Sequence, residues 1–214
     1  MSELLRQGSA EGSISLQLKN ALFEGNLDQM KDLLERGASA DFPYHQTNGG
    51  NTPLHLAAYN KWPDRLKILL DSLKDDPQRL KKALESTNEN GITPLFEAVS
   101  VGRPPYDFAK TNPPADEMIE FKKNFYQRME NMPSIVELLL QYGADSNSQQ
   151  KGFPGGIKRK ISYTVKGWLT EQLKGQKDPK VKKALEDSLK LIQISSILKK
   201  TDIKNSYMFE NKTR

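Results

Sequence analysis

Asn51-Thr52-Pro53-Leu54-His55-Leu56-Ala57-Ala58 is the stretch on which the fold turns. A threonine here can cap a helix by accepting a backbone N–H bond. Proline suits the next position, where a helix has a spare N–H and needs φ near −65°. Leu54 to Ala58 then reads as a short inner helix with small residues where a neighbour approaches closely. A second copy, Gly91-Ile92-Thr93-Pro94-Leu95-Phe96-Glu97-Ala98-Val99, starts its Thr-Pro pair 41 residues later. Recurrence at that distance signals a repeat.

A second half-unit accompanies these helices. Ile135-Val136-Glu137-Leu138-Leu139-Leu140-Gln141-Tyr142-Gly143-Ala144-Asp145-Ser146-Asn147 is an apolar helix closed by Gly and a turn. Leu33-Leu34-Glu35-Arg36-Gly37-Ala38-Ser39-Ala40-Asp41 is its relative. The two half-units together resemble the ankyrin repeat, a turn plus two helices with a Thr-Pro-Leu-His signature. The resemblance covers residues 16–147 and implies an all-α fold: an ankyrin-repeat solenoid of stacked helix pairs, with a helical insertion in the third repeat.

On this reading residues 1–13, polar and rich in Gly and Ser, are a flexible N-terminus, and 14–200 form the repeat domain. The repeats span about 14–41, 52–85 and 93–147, and a degenerate cap occupies 157–200. The first unit has no Thr-Pro, as suits a terminal repeat with one face in water. Asp76-Pro77 predicts a short extra helix through about Glu85. Residues 103–132 are an insertion between the helices of the third repeat. Its second part, with Met118, Phe121, Phe125, Met129 and Met132 at helical spacing, predicts a helix that Pro133 ends. This stripe either docks on the stack or serves as an amphipathic partner-binding helix. Asp178-Pro179 repeats the helix-start signal in the cap, and 201–214 is read as a polar tail.

Composition excludes several classes. There is no cysteine, hence no disulfide and no thiolate chemistry. No apolar run approaches the ~18 residues of a membrane span. Residues 1–20 lack a basic head followed by an apolar stretch, so no secretory signal peptide is expected. Net charge is +5, but residues 1–150 hold 16 Lys/Arg against 21 Asp/Glu, whereas 151–214 hold 16 against 6. The basic excess belongs to the C-terminal third, yet only Lys158-Arg159-Lys160 forms a run.

The histidines are His45 and His55. His55 stands at the signature position, which by resemblance implies a structural hydrogen bond between neighbouring repeats. No nucleophile–base pair, metal cluster or phosphate loop can be assembled, so neither cofactor nor metal is expected. Asp75-Asp76 and Asp116-Glu117 read as helix starts.

The resemblance implies a non-catalytic protein–protein interaction module that holds a partner protein on its finger loops and inner helices. The family's contact positions fall here on Asn48, Asn51, Tyr59 and Asn60, and on Glu89, Asn90, Ile92, Ser100 and Val101. Tyr44, His45 and Trp62 add aromatic and imidazole anchors nearby. The finger loop holding Phe42, Tyr44 and His45 is a few residues longer than the family spacing; its aromatics either contact a partner or fold back onto the core. Two alternatives compete. One is a nucleic-acid or anionic-membrane binder acting through the basic third; the other is an enzyme with a site on the insertion. A monomer, made in the cytoplasm, is expected. Small irregular stacks of this kind resemble effectors that intracellular bacteria deliver into host cells, which implies a host protein as partner.

Overall fold

A computed structural model describes residues 14–44, 49–101, 114–147, 149–150 and 163–210. The N-terminal stretch 1–13, residues 102–113 with the first part of the insertion, the Lys158–Lys160 run and the last four residues lie outside these. Helix α1 (14–24) pairs with α2 (Leu27–Glu35), and α3 (Pro53–Asn60) with α4 (Pro63–Asp71). An extra helix, α5 (Pro77–Glu85), leads to the third pair, α6 (Pro94–Ala98) and α7 (Ala115–Gln141). Two-residue strands β1 (Gln149–Gln150) and β2 (Tyr163–Thr164) pair antiparallel before the fourth pair, α8 (Val165–Leu173) and α9 (Pro179–Glu210). The fold is an all-α solenoid with α1, α3, α6 and α8 inside and α2, α4, α7 and α9 outside.

Capping explains where the inner helices begin. Thr52 accepts from the His55 N–H at 3.4 Å and Thr93 from the Phe96 N–H at 3.4 Å. The fourth pair lacks Thr-Pro-Leu-His, yet Thr164 accepts from the Gly167 N–H at 3.1 Å in the same way. One hydroxyl therefore starts the helix in all three places. The outer helices α2 and α7 end alike. Gly37 (φ 96°) and Gly143 (φ 100°) adopt the left-handed conformation. The N–H groups of Ala38 and Ala144 then reach back to the carbonyls of Leu33 (2.8 Å) and Leu139 (2.9 Å). Asp76 and Asp178 cap α5 and α9 with proline in the first turn, as the Asp-Pro pairs predict.

Leu18 and Leu22 of α1, Leu54 and Ala57 of α3, and Leu95 and Ala98 of α6 form the inner side of the core. Met30 and Leu33, Leu66, Leu69 and Leu70, and Ile135, Val136 and Leu139 close it from the outer helices. The alanines let α3 and α6 pack tightly side by side.

The insertion resolves differently from the sequence expectation. Pro133 does not end a helix: α7 runs unbroken through it from Ala115 to Gln141. Proline forfeits one N–H bond, but Phe125, Met129 and Met132 before it and Ile135, Val136 and Leu139 after it are all buried. The shared apolar face keeps both segments on one axis and outweighs the lost bond. The stripe thus docks on the stack over its C-terminal half, while Ile119 nearer the start is 69% exposed. Helix α9 lies parallel beside α7: the Tyr126 hydroxyl donates to Asp178 (2.6 Å), Lys180 pairs with Glu130 (3.2 Å), and the Ser146 and Ser196 hydroxyls meet at 3.2 Å. It continues to Glu210, past residue 200 where the cap was expected to end.

Candidate partner-binding surface

The two sides of the finger between α2 and α3 pair where they are described. Tyr44 and Asn51 form an antiparallel bridge, and Gly49 (φ 60°) and Gly50 (φ 72°) lead into Asn51 in a conformation that favours glycine. His45 and Asn48 lie outside the described residues. The next finger stacks on this one. The Glu89 N–H donates to the Gly49 carbonyl at 2.9 Å. Asn88 stitches the two together: its side-chain N–H group donates to the Asn51 side-chain oxygen (2.8 Å) and to Glu97 (3.1 Å). Its own oxygen accepts from the N–H groups of Asn90 (2.9 Å) and Ile92 (3.1 Å). Glu89 and Asn90 stand exposed at the rim of this scaffold.

Tyr44 does not. It is 5% exposed, and its hydroxyl donates to the Ser15 carbonyl of α1 at 2.9 Å. The longer finger folds its aromatic back onto the first helix pair, so Tyr44 anchors the finger to the core. Tyr44→Phe should lower stability by about 1 kcal/mol, the usual net worth of one buried hydrogen bond. Urea unfolding reads this as a lower midpoint at unchanged slope. No change would mean that the hydroxyl carries nothing.

Ile92 and Ser100 are buried as well. The Ile92 carbonyl receives His55, and the Ser100 hydroxyl bonds back to the Phe96 carbonyl. Val101 is half-covered because Gln172 of α8 brackets the end of α6: it donates to the Val99 carbonyl (2.8 Å) and accepts from the Val101 N–H (3.4 Å). The C-terminal end of the third inner helix is therefore occupied by the fourth pair.

At the end of α3 the surface is open and aromatic. Tyr59 is 38% exposed, and Asn60 and Trp62 are half-buried. The Asn60 side chain caps its own helix at the Leu56 carbonyl. Between them Lys61 adopts φ 58° and turns its side chain wholly inward. Its Nζ donates to the carbonyls of Tyr59 (3.1 Å), Glu97 (2.9 Å) and Ser100 (3.1 Å). One cation thus joins the negative ends of α3 and α6. Burial drives its pKa well below the usual lysine range; nearby Arg128 adds to this and Glu97 opposes it. Arg128 and Asn131 of α7 donate to the Tyr59 and Lys61 carbonyls at 2.7 and 3.1 Å, which docks the insertion here.

Four residues of this region, Phe23, Lys61, Arg65 and Arg128, are absent from the sequence-derived set. Phe23 was recoverable. Gly25 (φ 75°) and Lys61 (φ 58°) hold the same left-handed position in successive units, which puts Phe23 in register with Tyr59. The partners of Arg65 and Arg128 carry no sequence signal.

His55 sits where its signature position implies. Its Nε2 meets the Ile92 carbonyl at 2.9 Å; a carbonyl only accepts, so Nε2 carries the proton. Nδ1 then accepts from the Thr52 hydroxyl (2.8 Å) and the Thr52 N–H (3.2 Å). This is a capping box in which histidine takes the usual Glu or Gln role. Burial pushes its pKa down to about 4, against the pull of the Ile92 and Ser86 backbone bonds. Among the described residues no group of three His, Asp or Glu side chains is placed to hold a metal ion. No described helix is long and apolar enough to cross a membrane.

The lysines of the fourth pair are interleaved with acids. Lys174 pairs with Glu171, Lys180 with Glu130, Lys182 with Glu186, Lys190 with Asp187 and Lys199 with Asp145.

Residues 18–110 match the family model of ankyrin repeats in three copies. A stretch of 63 residues is 36% identical to the potassium channel KOR1 of Oryza sativa subsp. japonica. It covers 29% of this chain and 7% of that protein, so the chain spans only a small part of the relative's length.

Proposed function

From ankyrin repeats across residues 18–110 as the premise, we propose that this chain is a protein-binding module. It holds its partner on the finger rim at Glu89 and Asn90 and on the open end of α3 at Tyr59 and Trp62. Ankyrin repeats generally mediate protein–protein interaction. The observation that carries the reading here is a rigid scaffold with a few accessible side chains at its edge. Apart from Tyr59, the apolar residues of α3 and α6 are consumed by the core, whereas Tyr59, Glu89 and Asn90 stay exposed on elements that hydrogen bonds hold fixed. Such pre-organisation reduces the ordering cost of association. Ion pairs offset the charge of Lys180, Lys182, Lys190 and Lys199 along α9, which favours a protein partner over a polyanion on that helix.

Photo-crosslinking tests this. A benzoyl-phenylalanine replaces Tyr59, Asn90 or, as control, the exposed Lys183 on α9. Adducts with one partner are expected from the first two sites. Tyr59→Ala should weaken that partner by about 2 kcal/mol, or roughly thirtyfold. Adducts confined to the Lys183 protein would move the site to the fourth pair and defeat the proposal.

A further inference from the structure

Phe23 and Tyr59 occupy equivalent places at the ends of the first two inner helices, 46% and 38% exposed. The Phe23 ring meets the Trp62 ring edge-on, with centroids 5.5 Å apart. The Arg65 guanidinium lies 4.0 Å above Trp62, and that of Arg128 lies 4.8 Å above Tyr59. Each guanidinium is tethered to a helix-end carbonyl, Arg65 to Leu22 at 2.8 Å and Arg128 to Tyr59 at 2.7 Å.

Ion pairing distinguishes these arginines. Arg36 pairs with Asp32 at 2.9 Å and Arg79 with Asp41 at 2.7 Å. Among the described residues neither Arg65 nor Arg128 has a carboxylate within ion-pair distance, although Asp64 is close enough for its charge to act on Arg65. Their charge therefore remains available, on a body whose first 150 residues carry more acids than bases. An arginine has five N–H donors in a rigid fork that matches a carboxylate; in Arg128 the Nε is buried, so its Nη groups are the ones that meet a ligand. Here ring and tether have already fixed the fork, so little side-chain freedom is left to lose on binding.

We propose that the ends of the first two inner helices form a receptor for an acidic peptide segment. Arg65 and Arg128 take its carboxylates; Phe23, Tyr59 and Trp62 take its apolar side chains. This rests on the protein-binding reading above and names the chemistry of the partner at one part of that surface. Aromatic residues and arginine are the types that concentrate binding energy at interfaces.

A library of random dodecapeptides displayed on phage, panned against the full chain, tests the receptor. Enriched peptides should combine Asp or Glu with an aromatic or aliphatic residue. Their Glu→Gln and Asp→Asn versions should bind roughly tenfold or more weakly. Phe23→Ser and Arg65→Gln should each weaken the acidic peptides to a similar degree, Arg65→Lys less, and Lys183→Ala, on the exposed face of α9, not at all. Phe23 is half exposed, so its variant stays folded even if Arg65→Gln loosens the end of α1. Enrichment of basic or uncharged peptides, or of none above bare support, overturns the proposal. So does acidic-peptide binding that ignores Phe23→Ser and Arg65→Gln. A partner crosslinked at Asn90 whose affinity also ignores those two variants would leave the protein-binding reading standing and remove only this receptor.

Discussion

Lys61→Ala is expected to destabilise the chain by about 3 kcal/mol, with the value set by three terms. Truncation leaves a cavity where a long aliphatic stem was packed; large-to-small changes in a core cost about 2–5 kcal/mol. The Ser100 carbonyl loses its donor, at about 1–3 kcal/mol, whereas the Tyr59 carbonyl keeps Arg128 and the Glu97 carbonyl keeps the Ser100 N–H. Against these stands relief from holding an ammonium group out of water. Two further variants separate the terms. Lys61→Gly should recover part of the loss relative to Ala, because φ 58° strains a residue with a Cβ by roughly 1–2 kcal/mol. Lys61→Met keeps most of the stem and removes the charge, so it should lose less than Ala. Urea unfolding of the three variants is the measurement. A Met variant more stable than the parent would show that the buried cation burdens the seam between α3 and α6.

The second large effect is an acid transition belonging to His55. Above pH about 6.5 the ring is neutral in both folded and unfolded chains. As the pH falls below that, the unfolded chain takes up a proton that the folded site refuses until about pH 4. Stability must therefore fall across this window and level off below it, by about 3 kcal/mol in total. The structural cause is direct. Nε2–H is committed to the Ile92 carbonyl, so the added proton would go to Nδ1, the acceptor for Thr52, in a site with no solvent contact. Protonation breaks the capping box of α3 and charges the buried seam between the second and third units. Denaturant unfolding at a series of pH values, for the parent and for His55→Gln, isolates this contribution. The variant keeps an amide donor and does not titrate, so the difference between the two curves should appear between pH about 6.5 and 4. Parallel curves would mean that His55 is already solvated or charged in the folded chain.

Legibility divides along the distance between partners. Short-range chemistry was readable. Thr52 and Thr93 begin the inner helices, Asp76-Pro77 and Asp178-Pro179 begin α5 and α9, and Gly37 and Gly143 end α2 and α7, because each device acts within one turn of backbone. The position of His55 in its motif implied an inter-repeat bond, and the bond runs to Ile92 of the next unit. Pro133 misled for a related reason. The local rule for proline was applied to a helix whose continuity is set by Met129, Met132 and Ile135 packing on one face.

The candidate surface was less legible, since exposure is a property of neighbours. Carrying family positions onto Ile92 and Ser100 ignored that their backbone carbonyls serve His55 and Lys61 in this chain. Tyr44 in a polar loop suits a contact residue until α1 supplies the Ser15 carbonyl 29 residues away. By itself the sequence determined the helix pairs, their caps and the all-α stack, because those follow from residues three to five apart. Tertiary structure alone decided which aromatics stay in water and which cations stand beside them. Leu22 holds Arg65 across 43 residues, Glu97 holds Lys61 across 36, and Tyr59 holds Arg128 across 69. No spacing rule reaches so far; these pairs meet because stacking sets the ends of successive helices side by side, where each carbonyl end attracts a positive charge.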